Sequence, residues 1–131
     1  MTGLASPTLS KRERIVSRKL IELLFSKGSS RSTSAFPLRI VFMKKTREES
    51  EEPVQILVSV SKRHFKRAVK RNRVKRQIRE AYRHHKSILE EKVAEDKSLA
   101  LAFIWQADEL YDSKQVERCV KKLLGTVAES E

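Results

Sequence analysis

The residues with the widest chemical reach in this chain lie close together: Lys62, Arg63, Lys66, Arg67, Lys70, Arg71, Arg73, Lys75, Arg76, Arg79, Arg83 and Lys86, with Asn72 among them. Arginine presents a planar fork of donors that matches phosphate oxygens and stacks on bases, while lysine adds a mobile point charge. An amide held amid cations both donates and accepts, which suits Asn72 to a sugar hydroxyl, a base edge or a metal-bound water. The same side chain could equally cap or locally bond the first turns of a helix, and residue type leaves the two readings open. Such a set holds a polyanion; it does not by itself break bonds.

Groups that could break bonds are sparse. His84 and His85 are adjacent, so on a helix they point about 100° apart and can neither share a metal nor form a direct acid–base pair. His64 is the remaining histidine. Asp108, Glu109 and Asp112 fit a turn and a helix cap better than a metal set. No nucleophile triad, phosphate-binding glycine loop or zinc spacing is present. No catalytic residue and no metal or cofactor bound by the protein itself is therefore expected. The single cysteine, Cys119, cannot form an internal disulfide and falls on an apolar helical stripe, which assigns it to the core.

The charge is distributed unevenly. The chain carries 29 Lys and Arg against 17 Asp and Glu, a net of +12. The stretch Lys62–Lys86 contributes 12 cations and one acid, Glu80, whereas the other 106 residues hold 17 cations and 16 acids. Nearly all the excess thus sits on one segment, the electrostatic footprint of a nucleic-acid-binding face. An anionic membrane is the second polyanion to weigh, and a solvated surface helix is the plain alternative. No run approaches the roughly 18 apolar residues that span a bilayer, and Met1–Leu4 lacks a basic segment followed by an apolar one. A cytoplasmic protein without a membrane partner is expected.

Positioning these residues requires a small domain. A length of 131 residues with 39% hydrophobic content fits one core, with a flexible segment at 1–10, a single domain at 11–126 and a tail at 127–131. Ser17 reads as the N-cap of a first helix carrying Leu20, Ile21, Leu23, Leu24 and Phe25, stopped by Gly28. The stretch 29–34 is a turn or short edge strand. Residues 36–43 alternate as a strand, with Phe36, Leu38, Ile40 and Phe42 on one face and Pro37, Arg39, Val41 and Met43 on the other. The acidic stretch 44–53 reads as a hairpin loop before a second strand bearing Val54, Ile56, Val58 and Val60.

The basic segment then forms a helix with a packing stripe of Val74, Ile78, Ala81, Tyr82, Ile88 and Leu89. Its opposite side collects Asn72, Lys75, Arg76, Arg79, Arg83 and Lys86. Like charges at this spacing repel by a few tenths of a kcal/mol per pair, a cost relieved by a polyanionic partner. The nearly continuous apolar run 99–105 predicts a strand central in its sheet or covered on both faces. A last helix, capped by Asp112 or Ser113, carries Val116, Cys119, Val120, Leu123, Leu124 and Val127. Of the aromatic residues, Tyr82 and Trp105 read as core, while Phe25, which ends a helix before a glycine turn, is a candidate for base stacking.

The run from Val58 to Arg83, VSVSKRHFKRAVKRNRVKRQIREAYR, resembles the signature of the bacterial ribonuclease P protein family. There a strand ending Ser-Val-Ser-Lys leads into a helix with Ala-Val, Arg-Asn-Arg, Lys-Arg and Arg-Glu. Leu23–Gly28, and Phe36 eight residues beyond that glycine, resemble the family's first helix and first long strand, and the likeness covers roughly residues 9 to 126. The chain departs from the common pattern at Arg39, where many members have an aromatic, and at Phe65, where many have a glycine.

The resemblance implies an α/β (α+β) sandwich like the second domain of ribosomal protein S5, with about four strands, three helices and a left-handed crossover through the basic helix. It implies that Lys62, Arg63, Arg67, Arg71, Asn72, Arg73, Lys75, Arg76, Arg79 and Arg83 bind the catalytic RNA of ribonuclease P. A cleft between the first helix and the sheet, lined by Phe25, Phe36 and Arg39, would take the 5′ leader of precursor tRNA. It also implies a monomer in a one-protein, one-RNA particle, with Mg2+ required by the RNA for endonucleolytic removal of the leader. A general RNA-binding module, such as a ribosomal or chaperone-like protein, is the second reading. A stand-alone ribonuclease built on His84 or His85 fails on geometry.

Overall fold

The computed structural model describes residues 11–15, 17–26, 28, 30–49 and 51–130; the segment expected to be flexible at 1–10 lies outside the described residues. Four strands form one sheet: β1 (Arg31–Ala35), β2 (Leu38–Thr46), β3 (Val54–Ser59) and β4 (Lys97–Trp105), in the order β1-β2-β4-β3. β4 is antiparallel to β2 and parallel to β3. The helices are α1 (Arg18–Phe25), α2 (Ala68–His85), the one-turn α3 (Ser87–Glu90) and α4 (Ser113–Glu129).

The two faces of β4 explain the layering. Leu99, Leu101, Phe103 and Trp105 point to one side and pack with Val74, Ile78, Ala81 and Tyr82 of α2 and with the apolar stripe of α4. Ala100 and Ala102 point to the other, where their small size lets Leu24 of α1 and the N-terminal Ile15 pack closely against Val41. Both faces of this strand are buried, so it sits centrally, as its uninterrupted apolar run predicts.

The ends of the helices follow local chemistry. The Ser17 hydroxyl accepts from the Leu20 N–H at 3.3 Å, while at the other end α1 is stopped by an extended Ser26, before Gly28, whose φ of +103° serves the turn beyond the helix rather than its cap. At α4, the Asp112 carboxylate accepts from the Gln115 N–H at 2.8 Å, while the Gln115 side chain accepts from the Asp112 N–H at 3.2 Å. This reciprocal capping box satisfies two otherwise open donors. Cys119 lies in the core, where its thiol donates to the Ala35 carbonyl at 2.8 Å and burial pushes its pKa up.

Four local expectations are corrected. Residues 44–53 do not form a hairpin loop: β2 continues to Thr46, and β4 lies between β2 and β3. The connection is instead pinned beside the start of β4, with the Arg47 guanidinium donating to the Lys97 carbonyl at 2.8 Å and to the Ala94 carbonyl at 3.1 Å. Phe36 is not on a strand face, because Ala35 pairs with Leu38 and leaves Phe36 and Pro37 as the turn of the β1–β2 hairpin. The basic helix stops at His85, and Ile88 and Leu89 belong to or pack through the separate turn α3. Finally, α4 reaches Glu129 with Val127 and Ala128 buried, so residues 127–129 belong to the folded body rather than to a tail.

Asp112→Ala removes the side-chain half of the capping box and should cost about 1 kcal/mol. Urea unfolding checks this as a lower midpoint at unchanged slope.

Candidate nucleic-acid interface

α2 is amphipathic in the strict sense that its two sides face different media. Val74, Ile78, Ala81 and Tyr82 are buried against the sheet and α4. At 100° per residue, the opposite side presents Asn72, Arg76 and Arg83, flanked by Arg73 and Arg79. The sequence singled out ten residues for this surface, and the fold divides them. Lys62, Arg63, Arg67, Asn72, Arg73 and Arg76 are exposed, whereas Arg71, Lys75, Arg79 and Arg83 are half-buried.

Several of the half-buried cations have partners inside the protein. The Arg71 guanidinium donates through Nη1 to the carbonyls of Phe65 and Lys66, each at 2.8 Å, and so ties the preceding loop to the first turn of α2. That loop is also closed by the Arg63 N–H on the Ser61 hydroxyl at 3.0 Å, by burial of Phe65, and by His64 Nδ1 on Asp108 at 2.7 Å. Lys62, Arg63 and Arg67 therefore project from a braced loop. Arg83 pairs with Glu80, one turn earlier on its own helix. The bond to Arg83 holds the Glu80 carboxyl below its usual range, and the same bond pushes the Arg83 guanidinium up. Lys86, expected on the polyanion side, instead meets buried Glu13 at 2.9 Å.

The histidines occupy three separate settings. His84 Nε2 lies 3.3 Å from Glu80, and His85 Nε2 lies 2.9 Å from Glu117 on α4. His64 belongs to the loop clamp already described. Among the described residues, no three His, Cys, Asp or Glu side chains gather as a metal site. Tyr82 and Trp105 are buried core rings, in edge-on contact with Phe103 and Tyr111 respectively.

On the opposite face of the sheet, a cleft of about 400 Å³ opens between the end of α1 and the β1–β2 hairpin. Phe25 and Arg39 both line it, and Phe25 is 49% exposed. The Arg39 guanidinium reaches the Ser32 hydroxyl at 3.5 Å. Phe36 is not on the cleft wall; it stands 69% exposed in the hairpin turn. Ser30, Arg31 and Ser32 complete the wall and were not singled out from the sequence, because a short polar edge strand carries no alternation to reveal its facing. Arg14 was missed for a different reason: it lies 48 positions before the basic segment begins and reaches the flank of α2 only through the fold.

A sequence model of the family described as Ribonuclease P matches residues 9–128. A ribonuclease P protein component of Porphyromonas gingivalis is 42% identical over 129 residues, covering 98% of this chain and 92% of the relative. One from Chlorobium phaeobacteroides is 40% identical over 91 residues, covering 68% of this chain and 61% of that one. Among solved structures, a Staphylococcus aureus RNase P protein mutant with defective mRNA degradation activity superposes with a TM-score of 0.69 at 21% identity, over 91% of this chain and 90% of that one. The RNase P protein of Thermotoga maritima, in complex with 1-(4-fluorophenyl)-2-thiourea, superposes with a TM-score of 0.62 at 20% identity, over 82% and 94%. Those two likenesses carry the fold, the mixed α/β sheet-and-helix arrangement described above. With a family match across nearly its whole length and a relative of this similarity, the chain belongs to the ribonuclease P protein family.

Proposed function

We propose that this chain is the protein subunit of a ribonuclease P particle, binding the catalytic RNA through α2 and its braced loop and the 5′ leader of precursor tRNA in the α1 cleft. Family membership assigns it to tRNA 5′ processing. The observation that carries the finer reading is the division of α2 into one buried apolar side and one exposed cationic side. Exposed arginines offer charge-assisted hydrogen bonds to phosphates, and Asn72, exposed among them, is available for a sugar or base edge. On the other face, the Phe25 ring and the Arg39 guanidinium supply a stacking surface and a cation along one groove, the pairing that suits a single strand. Phe36, in the hairpin turn, stands outside the wall of that groove.

The chain's own residues bind and orient. Mg2+ held by the RNA supplies the activated water for hydrolysis, and cations on α2 lower the metal requirement by neutralising crowded phosphates. One protein with one RNA is the proposed stoichiometry, in the cytoplasm; no described helix is long and apolar enough to cross a membrane.

Cleavage of precursor tRNA by the matching catalytic RNA at low Mg2+, with and without this chain, tests the proposal. The chain should restore cleavage with the RNA and give none alone. His84→Ala and His85→Ala should leave the particle's activity within a fewfold, since each ring is committed to a neighbouring carboxylate. RNA-free cleavage that disappears with either histidine would replace this mechanism with a stand-alone nuclease.

Two arginines should separate binding from folding. Arg76→Ala, at an exposed position, should weaken RNA binding by about 1 to 3 kcal/mol with the unfolding midpoint unchanged. Arg71→Ala should lower both, because the Phe65 and Lys66 carbonyls lose their donor. Filter binding beside urea unfolding reads the two effects.

Neutralising about six phosphates predicts an affinity loss of about a thousandfold between about 50 and 200 mM salt. A flat salt titration would remove the polyanion interface.

A further inference from the structure

Arg14 is a cation that the basic segment does not contain. It lies where the N-terminal segment runs along the outer edge of β3: a parallel bridge joins Arg14 to Ile56, and the Ile15 N–H donates to the Ile56 carbonyl at 2.8 Å. Its neighbour Glu13 meets Lys86 at the end of α2, at 2.9 Å, which fastens this segment to one flank of the helix. Arg79 stands seven residues before Lys86, two turns back on that same flank.

The two arginines are poorly compensated. Arg79 is half-buried, and burial, followed by the charge of Arg14, pushes its guanidinium down from its ordinary value. The Arg14 Nε is buried without a hydrogen-bond partner. Among the described residues, no ion pair joins either guanidinium to a carboxylate, and the adjacent Glu13 is engaged by Lys86. A desolvated donor beside a like charge costs stability and calls for an anion that would satisfy both.

We propose that Arg14 and Arg79 jointly clamp one phosphate of the RNA that docks on α2, making Arg14 a positioning residue supplied from outside the basic segment. The inference rests on the reading of α2 as the face for the catalytic RNA. A shared phosphate would also fix the angle between α2 and the edge of the sheet relative to the RNA, because the two cations come from different layers of the fold.

Arg14→Gln keeps most of the side-chain stem and removes the charge. Binding to the matching catalytic RNA at moderate salt should weaken by about tenfold, and the salt dependence should become shallower by about one phosphate. The thermal midpoint of the free chain should stay level or rise, since a repulsion is removed. Arg79→Gln should behave alike. The double variant should bind within about twofold of the weaker single one, with a slope change of about one phosphate rather than two. Losses that multiply, with a slope change of about two, would show separate phosphates and overturn the clamp. Arg14→Gln that binds normally while Arg76→Ala is impaired would also overturn it and leave the α2 reading standing. Arg14→Gln that melts earlier but binds normally would make Arg14 purely structural. If Arg76→Ala and Arg14→Gln both bind normally, the α2 reading falls and takes the clamp with it.

Discussion

Burial of one apolar stripe holds together a helix that would otherwise be strained by its own charge. Val74, Ile78, Ala81 and Tyr82 pack under α2 against β3, β4 and α4, while cations crowd its remaining surface. Each large apolar side chain buried is worth about 1.5 to 3 kcal/mol, and each like-charged pair at helical spacing costs a few tenths. Burial wins by a wide margin, and arginine and lysine are themselves good helix formers. The sheet can therefore carry a concentrated cationic surface without a partner present, and the rest of the architecture follows from the need to support that stripe. β4 must be central, since its Leu99, Leu101 and Phe103 face the stripe while Ala100 and Ala102 accommodate α1 on the other side.

The fold uses some of its cations as structural elements. Arg71 holds the loop carbonyls before α2, Arg83 is matched by Glu80, and Lys86 reaches Glu13 to fasten the N-terminal segment. These are internal pairings that a tally of charges would attribute to the ligand. What remains exposed is a smaller set: Asn72, Arg73 and Arg76 on α2, with Lys62, Arg63 and Arg67 on a loop clamped by Ser61, Phe65 and the His64–Asp108 contact. Pre-positioned donors lose less conformational freedom when they meet phosphates than free side chains would. On the proposed function, this surface would dock a rigid polyanion.

The other face of the sheet has a different character. Among the described residues, α1 and Ile15 cover it, and the cleft beside Phe25 and Arg39 stays open. One sheet therefore offers a convex cationic helix on one side and a narrow groove with an aromatic edge on the other. On the proposed function, such a division would hold two nucleic-acid segments of different shape at once, a folded RNA by charge and a single strand by stacking and charge together.

The sequence by itself determined the elements and their faces. Alternation over 54–60, the i, i+3, i+4 stripe of α4 and the charge run of α2 are local periodicities, and Ser17 and Asp112 cap through neighbours three residues away, so these features are legible from short windows. The likeness of residues 58–83 to a known signature identified the family for the same reason, since its residues are contiguous. Tertiary structure alone decided what depends on distant partners. It inserted β4 between β2 and β3, which made the acidic stretch a connection rather than a hairpin. It moved Phe36 out of the strand into a turn, because pairing of Ala35 with Leu38 sets where the strand begins. It also brought Arg14 to the flank of α2 through the Arg14–Ile56 bridge and the Glu13–Lys86 pair. Hydrophobic period is a property of neighbours along the chain, whereas strand order and cation pairing are set by groups far apart in sequence that meet only when the sheet closes over its core.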